Sequence, residues 1–121
     1  MKTRMLIPTL LITLAVLATG CLGPKPVVDS YQAQPPQAGS DQPFRVEAIV
    51  RNAGPGDGEV EVEVELSNKQ NGEIIRSDKQ EVDIKSGETQ HVLFEMNLPP
   101  SAQSLDPEQI EVQVDAHYPI Q

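Results

Sequence analysis

The chain has no tryptophan, and its aromatic residues are Phe44, Phe94, Tyr31 and Tyr118. Its core must therefore come from Val, Ile and Leu, and the β-branched members of that set favour strands. Cysteine occurs once, at Cys21, which excludes an intramolecular disulfide. Histidine occurs twice, at His91 and His117, each on the polar face of its expected strand. With Glu95 and Asp115 nearby they match no local zinc motif, so they read as surface residues and no metal is expected. No nucleophile, base and orienting group fall into a recognisable pattern, so an enzyme is not expected.

Positive charge is also scarce. All 18 acidic residues follow Cys21, against seven of the nine basic ones, so the chain from Cys21 onward carries a net charge of −11. A surface of that sign has no basic patch with which to displace counterions, which argues against nucleic acid as a partner. Anionic lipid headgroups would repel it as well.

One long apolar run is present, at the N-terminus. Lys2 and Arg4 precede it, Met5 to Leu17 is interrupted only by Pro8, Thr9 and Thr13, and the small residues Ala18, Thr19 and Gly20 lead into Cys21. Charged start, short apolar stretch and small-residue exit are the parts of a signal peptide, and the stretch is short for a membrane span. Leu17-Ala18-Thr19-Gly20-Cys21 resembles the lipobox of bacterial lipoproteins, with Ala18 where Leu is commoner. The resemblance implies cleavage between Gly20 and Cys21 and a diacylglycerol thioether on the Cys21 sulfur. Two or more acyl chains anchor far more firmly than one. Leu22, where an Asp would favour inner-membrane retention, tilts the choice between cell membrane and outer membrane towards the outer. The protein is then expected outside the cytoplasm, with no cofactor besides the covalent lipid. Residues 22–26 read as a tether of at most ~16 Å if extended as polyproline.

Beyond residue 26 the pattern is alternation with period two. From Glu59 to Leu66 every even position is apolar and every odd one is Glu. A strand gathers the four apolar side chains on one face, where a helix would scatter them. Phe44 to Val50, Val82 and Ile84, Val92 to Leu98, and Ile110 to Tyr118 repeat the alternation. A first strand over 27–33 and a short one at Ile74-Ile75 are also expected. Asn71-Gly72 and Ser86-Gly87 mark tight turns, and Asn52 to Gly58 reads as a loop whose glycines supply positive φ. Pro99-Pro100 ends a strand. These features predict an all-β fold: an antiparallel immunoglobulin- or fibronectin-III-like β-sandwich of six to seven strands after an N-terminal signal-peptide helix. The expected divisions are 1–20, signal peptide; 21–26, lipidated Cys and tether; and 27–121, sandwich.

The order of Val27-Val28-Asp29, Phe44 to Gly54, Lys85-Ser86-Gly87-Glu88, His91 to Phe94 and Val112 to Asp115 resembles the cell-adhesion-related domain of bacteria, CARDB. Arg51-Asn52-Ala53-Gly54 is its most specific piece. The resemblance implies an immunoglobulin-like sandwich more than a function. In that family a further strand follows the one ending at Asp115. Six residues remain here, so the strand over 109–118 is expected to be an open sheet edge that accepts a strand from another copy or a partner.

Two surface features remain. Glu59, Glu61, Glu63 and Glu65 stand about 7 Å apart on one face. They form a candidate interaction surface for a basic partner, or a solvated stripe opposed by Arg45, Arg51, Lys79 or Lys85. Asp57 and Glu59 flank flexible glycines, but two carboxylates fall short of the roughly six to eight oxygens calcium takes. The expected function is that of a membrane-anchored, non-enzymatic binding or structural module, an accessory subunit of an envelope complex. The alternatives are a surface adhesion module, or an envelope chaperone or inhibitor acting through its open edge.

Overall fold

The computed structural model describes residues 23–37 and 40–120. The expected signal peptide, its helix, the Gly20–Cys21 junction and the lipidated Cys21 itself lie outside these residues. Among the described residues, no helix is long and apolar enough to cross a membrane.

Six strands form two antiparallel sheets. They are β1 (Pro26–Gln34), β2 (Phe44–Asn52), β3 (Gly58–Asn68), β4 (Ile74–Ile84), β5 (Thr89–Met96) and β6 (Ile110–His117). One sheet has the order β1-β2-β5 and the other β4-β3-β6. The all-β antiparallel sandwich expected from the alternation is thus the observed fold. Two single 3-10 turns, Pro100–Ala102 and Pro107–Gln109, bend the chain between β5 and β6.

The core follows the period-two pattern. Phe44, Val46, Ala48 and Val50 of β2 face Val60, Val62, Val64 and Leu66 of β3, and Val92, Phe94 and Met96 of β5 complete it. All are buried. Each such side chain contributes roughly 1.5–3 kcal/mol relative to exposure.

The short strand at Ile74-Ile75 and the one at Val82–Ile84 are a single strand. The polar stretch Arg76 to Gln80 between them pairs with Val62 to Leu66. Its backbone is satisfied by β3, while its side chains serve the sandwich margin: Gln80 Nε2 donates to the Leu93 carbonyl at 2.6 Å, and Arg76 Nη1 to the Asn97 carbonyl at 3.3 Å. An edge strand of this kind needs little hydrophobic alternation, so the sequence pattern fades where the strand continues.

The turn glycines divide into two kinds. Gly72 and Gly87 have φ of 73° and 79°, the left-handed region where glycine is favoured. Positive φ is not the role of Gly54 and Gly58, contrary to the expectation for the 52–58 loop. They are small because the N-terminal segment lies on them. A Cβ on Gly54 would come within 2.7 Å of the Gly23 carbonyl oxygen and the Lys25 nitrogen, and one on Gly58 within 2.8 Å of Pro24.

Candidate functional site

The N-terminal segment and the 52–58 loop meet at one end of the sandwich, and Asn52 organises the meeting. This residue ends β2 and is fully buried. Its Oδ1 accepts the backbone N–H groups of Lys25 and Gly54, each at 2.9 Å. Its Nδ2 donates to the carbonyls of Gly56 at 2.8 Å and Ile84 at 3.3 Å. Its own N–H donates to Glu88 O and its carbonyl accepts from Gly87 N. One amide therefore ties together the N-terminal segment, the β2–β3 loop, the end of β4 and the β4–β5 turn. Ser86 adds a second tie, its hydroxyl donating to Gly54 O at 2.6 Å.

These bonds change the meaning of the tether. Gly23 packs so closely on Tyr118 that a Cβ would meet its ring at 2.7 Å, Pro24 is buried, and Ala53 N–H donates to Lys25 O. Residues 23–25 are thus part of the body of the domain. In sequence, Leu22 alone lies between them and Cys21.

Asp57 also has a structural partner. Its Oδ1 accepts the Ser86 N–H at 2.8 Å, bracing the β4–β5 turn. Among the described residues there is no group of three or more His, Cys, Asp or Glu side chains placed to hold a metal. The melting temperature of the chain is expected to stay put when calcium is added or chelated. A rise with calcium would assign the loop a metal.

Glu59, Glu61, Glu63 and Glu65 share the outer face of β3, as the alternation required, and register multiplies the charge around them. Across from them on β4 stand Asp83, Glu81, Lys79 and Ser77. On β6, His117 faces Glu61, Asp115 faces Glu63 and Gln113 faces Glu65, with Glu111 one step further. The sequence stripe is one column of an acidic sheet face.

The opposing cations fall elsewhere. Of the four candidates, Lys79 alone stands directly across from the stripe, opposite Glu63. Arg45 and Arg51 lie on β2 in the other sheet, where they pair with Glu95 and Asp29, each at 3.0 Å. The hydrogen bond from Arg51, against an opposing desolvation and with some help from the guanidinium charge, holds the Asp29 carboxyl below its ordinary pKa. A depressed carboxyl stabilises above its unfolded pKa, and the effect is lost as pH falls through the folded value. Lys85 lies just past the end of β4. Sequence gave no means of seeing this segregation, because it depends on which strands share a sheet.

Glu61 is the exception within the stripe. It is 4% exposed, so it is not part of the solvated surface on which it was expected. Nε2 of His117 lies 2.6 Å from its Oε1. A carboxylate only accepts, so the ring nitrogen is the donor. His117, with a side chain 29% exposed, serves as the partner of a buried acid, unlike the surface residue expected. His91 does lie on the surface, 3.3 Å from Glu47. Glu95 pairs with Arg45 and Asp115 faces Glu63, so neither joins a histidine in a ligand set.

The expected edge strand over 109–118 is observed as β6, which pairs with β3 on one side and is an outer strand of its sheet. No protein-family model matches the chain, and no curated protein matches it.

Proposed function

We propose that the chain is an envelope lipoprotein, anchored through acylated Cys21 in the cell membrane or outer membrane, whose β-sandwich is a non-enzymatic binding or structural module. Its role is that of an accessory subunit, working on partners that come to the membrane surface. The observation that carries the reading is the packing of Gly23, Pro24 and Lys25 onto the sandwich. A lipid two residues before Gly23 would hold the domain against the bilayer with almost no slack. A long-range adhesin would need reach; this arrangement suits a protein assembled with its neighbours.

The test is the Cys21→Ala variant in a bacterial host. The unaltered chain should partition into detergent and carry diacylglycerol mass on an N-terminal Cys21. The variant should lose that mass and leave the detergent phase. An unaltered protein that keeps Met1, or starts elsewhere without lipid, rejects the reading.

A second reading, chaperone or inhibitor, is favoured over adhesion by one observation. β6 has backbone groups directed away from its sheet, among them the Val112 carbonyl, which accepts the Tyr31 hydroxyl of β1. Strand capture is a mode of binding that such an edge supplies ready-made.

A further inference from the structure

The sandwich has two open seams, where the edge strands of its sheets run beside each other. One seam is stitched. Between β4 and β5, Gln80 donates to Leu93 O, Gln90 to Asp83 O at 2.6 Å, and Arg76 to Asn97 O just past the end of β5. These side chains occupy carbonyls that an intruding strand would need. The seam between β1 and β6 is different. Among the described residues one side-chain bond crosses it, from the Tyr31 hydroxyl to the Val112 carbonyl at 3.2 Å.

That bond fixes the orientation of β6. The Val112 carbonyl points away from β3, and backbone groups alternate along a strand, so those of Val114 and Ala116 point the same way. The bond from Lys69 N–H to Gln109 O agrees, placing the odd-numbered backbone groups towards β3. The even-numbered side chains meanwhile face the core, yet Val112, Val114 and Ala116 are only partly buried, whereas Val60, Val62 and Val64 of β3 are fully buried. Outward backbone groups, of which the Val112 carbonyl alone takes the Tyr31 hydroxyl among the described residues, and partly buried core side chains therefore lie along one line. An added strand satisfies both at once.

The outer face selects the strand. Glu111, Gln113 and Asp115 project there from β6, with Glu63 and Glu65 behind them on β3. A strand added beside β6 sets every second side chain next to these carboxylates, where opposite charges attract and like charges repel. A second copy of this chain, with 18 acidic residues to nine basic, brings the wrong sign. We infer that the β6 edge is the docking site for an extended segment of a partner protein in which apolar residues alternate with Lys or Arg. The apolar residues would cover Val112, Val114 and Ala116, and the basic ones would lie along Glu111 and Asp115. This deepens the reading of the domain as a binding module and is independent of the lipid, so its failure would leave the Cys21 result standing.

The test uses the full chain in detergent and three peptides of about ten residues, the upper range of a strand. One alternates Val with Lys, one alternates Val with Glu, and one is the Lys peptide with proline at two central positions. The Val-Lys peptide should bind and slow amide exchange at Val114 and Ala116, and added salt should weaken it. The Glu and proline peptides should bind at least about tenfold more weakly, a difference of ~1.4 kcal/mol. The exposed double variant E111K/D115K should fold normally and lose about tenfold in affinity for the Val-Lys peptide, again ~1.4 kcal/mol. Equal binding of the proline peptide would mean mere adsorption to the acidic face and overturns the inference. So does binding without protection at Val114 and Ala116, or binding that the double variant leaves unchanged. Protection of the same amides by dimer formation without peptide would make the occupant a second copy and overturns the partner assigned here.

Discussion

Replacing Asn52 with alanine is expected to cost about 4 kcal/mol of unfolding free energy, an exceptional loss for one polar residue. The variant strands two N–H groups, of Lys25 and Gly54, and two carbonyls, of Gly56 and Ile84, in a site where the bonds to Gly54 and Ile84 are buried and those to Lys25 and Gly56 partly buried. A buried group left unpaired costs about 1–3 kcal/mol, and relaxation of the loop recovers part of the sum. In a domain of this size, 4 kcal/mol corresponds to a melting-temperature drop of roughly 15–30 °C. Asn52→Asp separates the two halves of the amide. It keeps an acceptor for Lys25 and Gly54 but turns a charged oxygen towards the carbonyls of Gly56 and Ile84. It is expected to be no better than alanine. Chemical denaturation reads both variants, and a loss below about 1 kcal/mol in either would show that the loop holds without the amide.

The second large effect is expected at His117. Removing the ring as His117→Ala leaves the buried Glu61 carboxylate without its 2.6 Å partner and opposite Glu81. Leaving a buried acceptor without its donor costs about 1–3 kcal/mol, more when the acceptor is charged. His117 is partly exposed and water can enter behind it, so about 2–3 kcal/mol is expected here. Adding Glu61→Gln should return at least half of that loss, because a neutral amide costs less to bury without a donor than a carboxylate and is not repelled by Glu81. The double-mutant cycle therefore shows strong coupling by denaturation. If the second substitution restores nothing, the loss comes from packing of the imidazole, and the hydrogen-bond account of the pair is wrong.

What could be read from the chain, and what could not, divides along the range of the interactions. Val60 to Leu66 gave away a strand and its buried face because a period of two is a local property. Asn71-Gly72 and Ser86-Gly87 announced their turns for the same reason. The burial of Glu61 was hidden, since it depends on His117, 56 positions away, arriving opposite it. Arg51 and Lys79 looked equally able to face the glutamates until strand order put one in each sheet. The Arg51-Asn52-Ala53-Gly54 segment stood out as a pattern without a reason. The structure supplies one: an amide with four backbone partners, and a glycine over which the N-terminal segment passes too closely for any side chain. Residues 23–25 read as part of a tether because nothing in their own composition records that the loop at 52–58 will hold them.

With Cys21 acylated, the immobilised Gly23–Lys25 segment turns an anchor into a stand. On that proposal the domain would have little room to lean or swivel, and the end of β6 beside Tyr118, on which Gly23 packs, would lie nearest the lipid. Eight residues of strand rise about 26 Å, so on the same proposal the open edge would be a short rail leading away from that end. A partner falling from solution would have to arrive at the right height and tilt. One confined to the same membrane would meet that rail by sideways diffusion alone, with the vertical coordinate already matched.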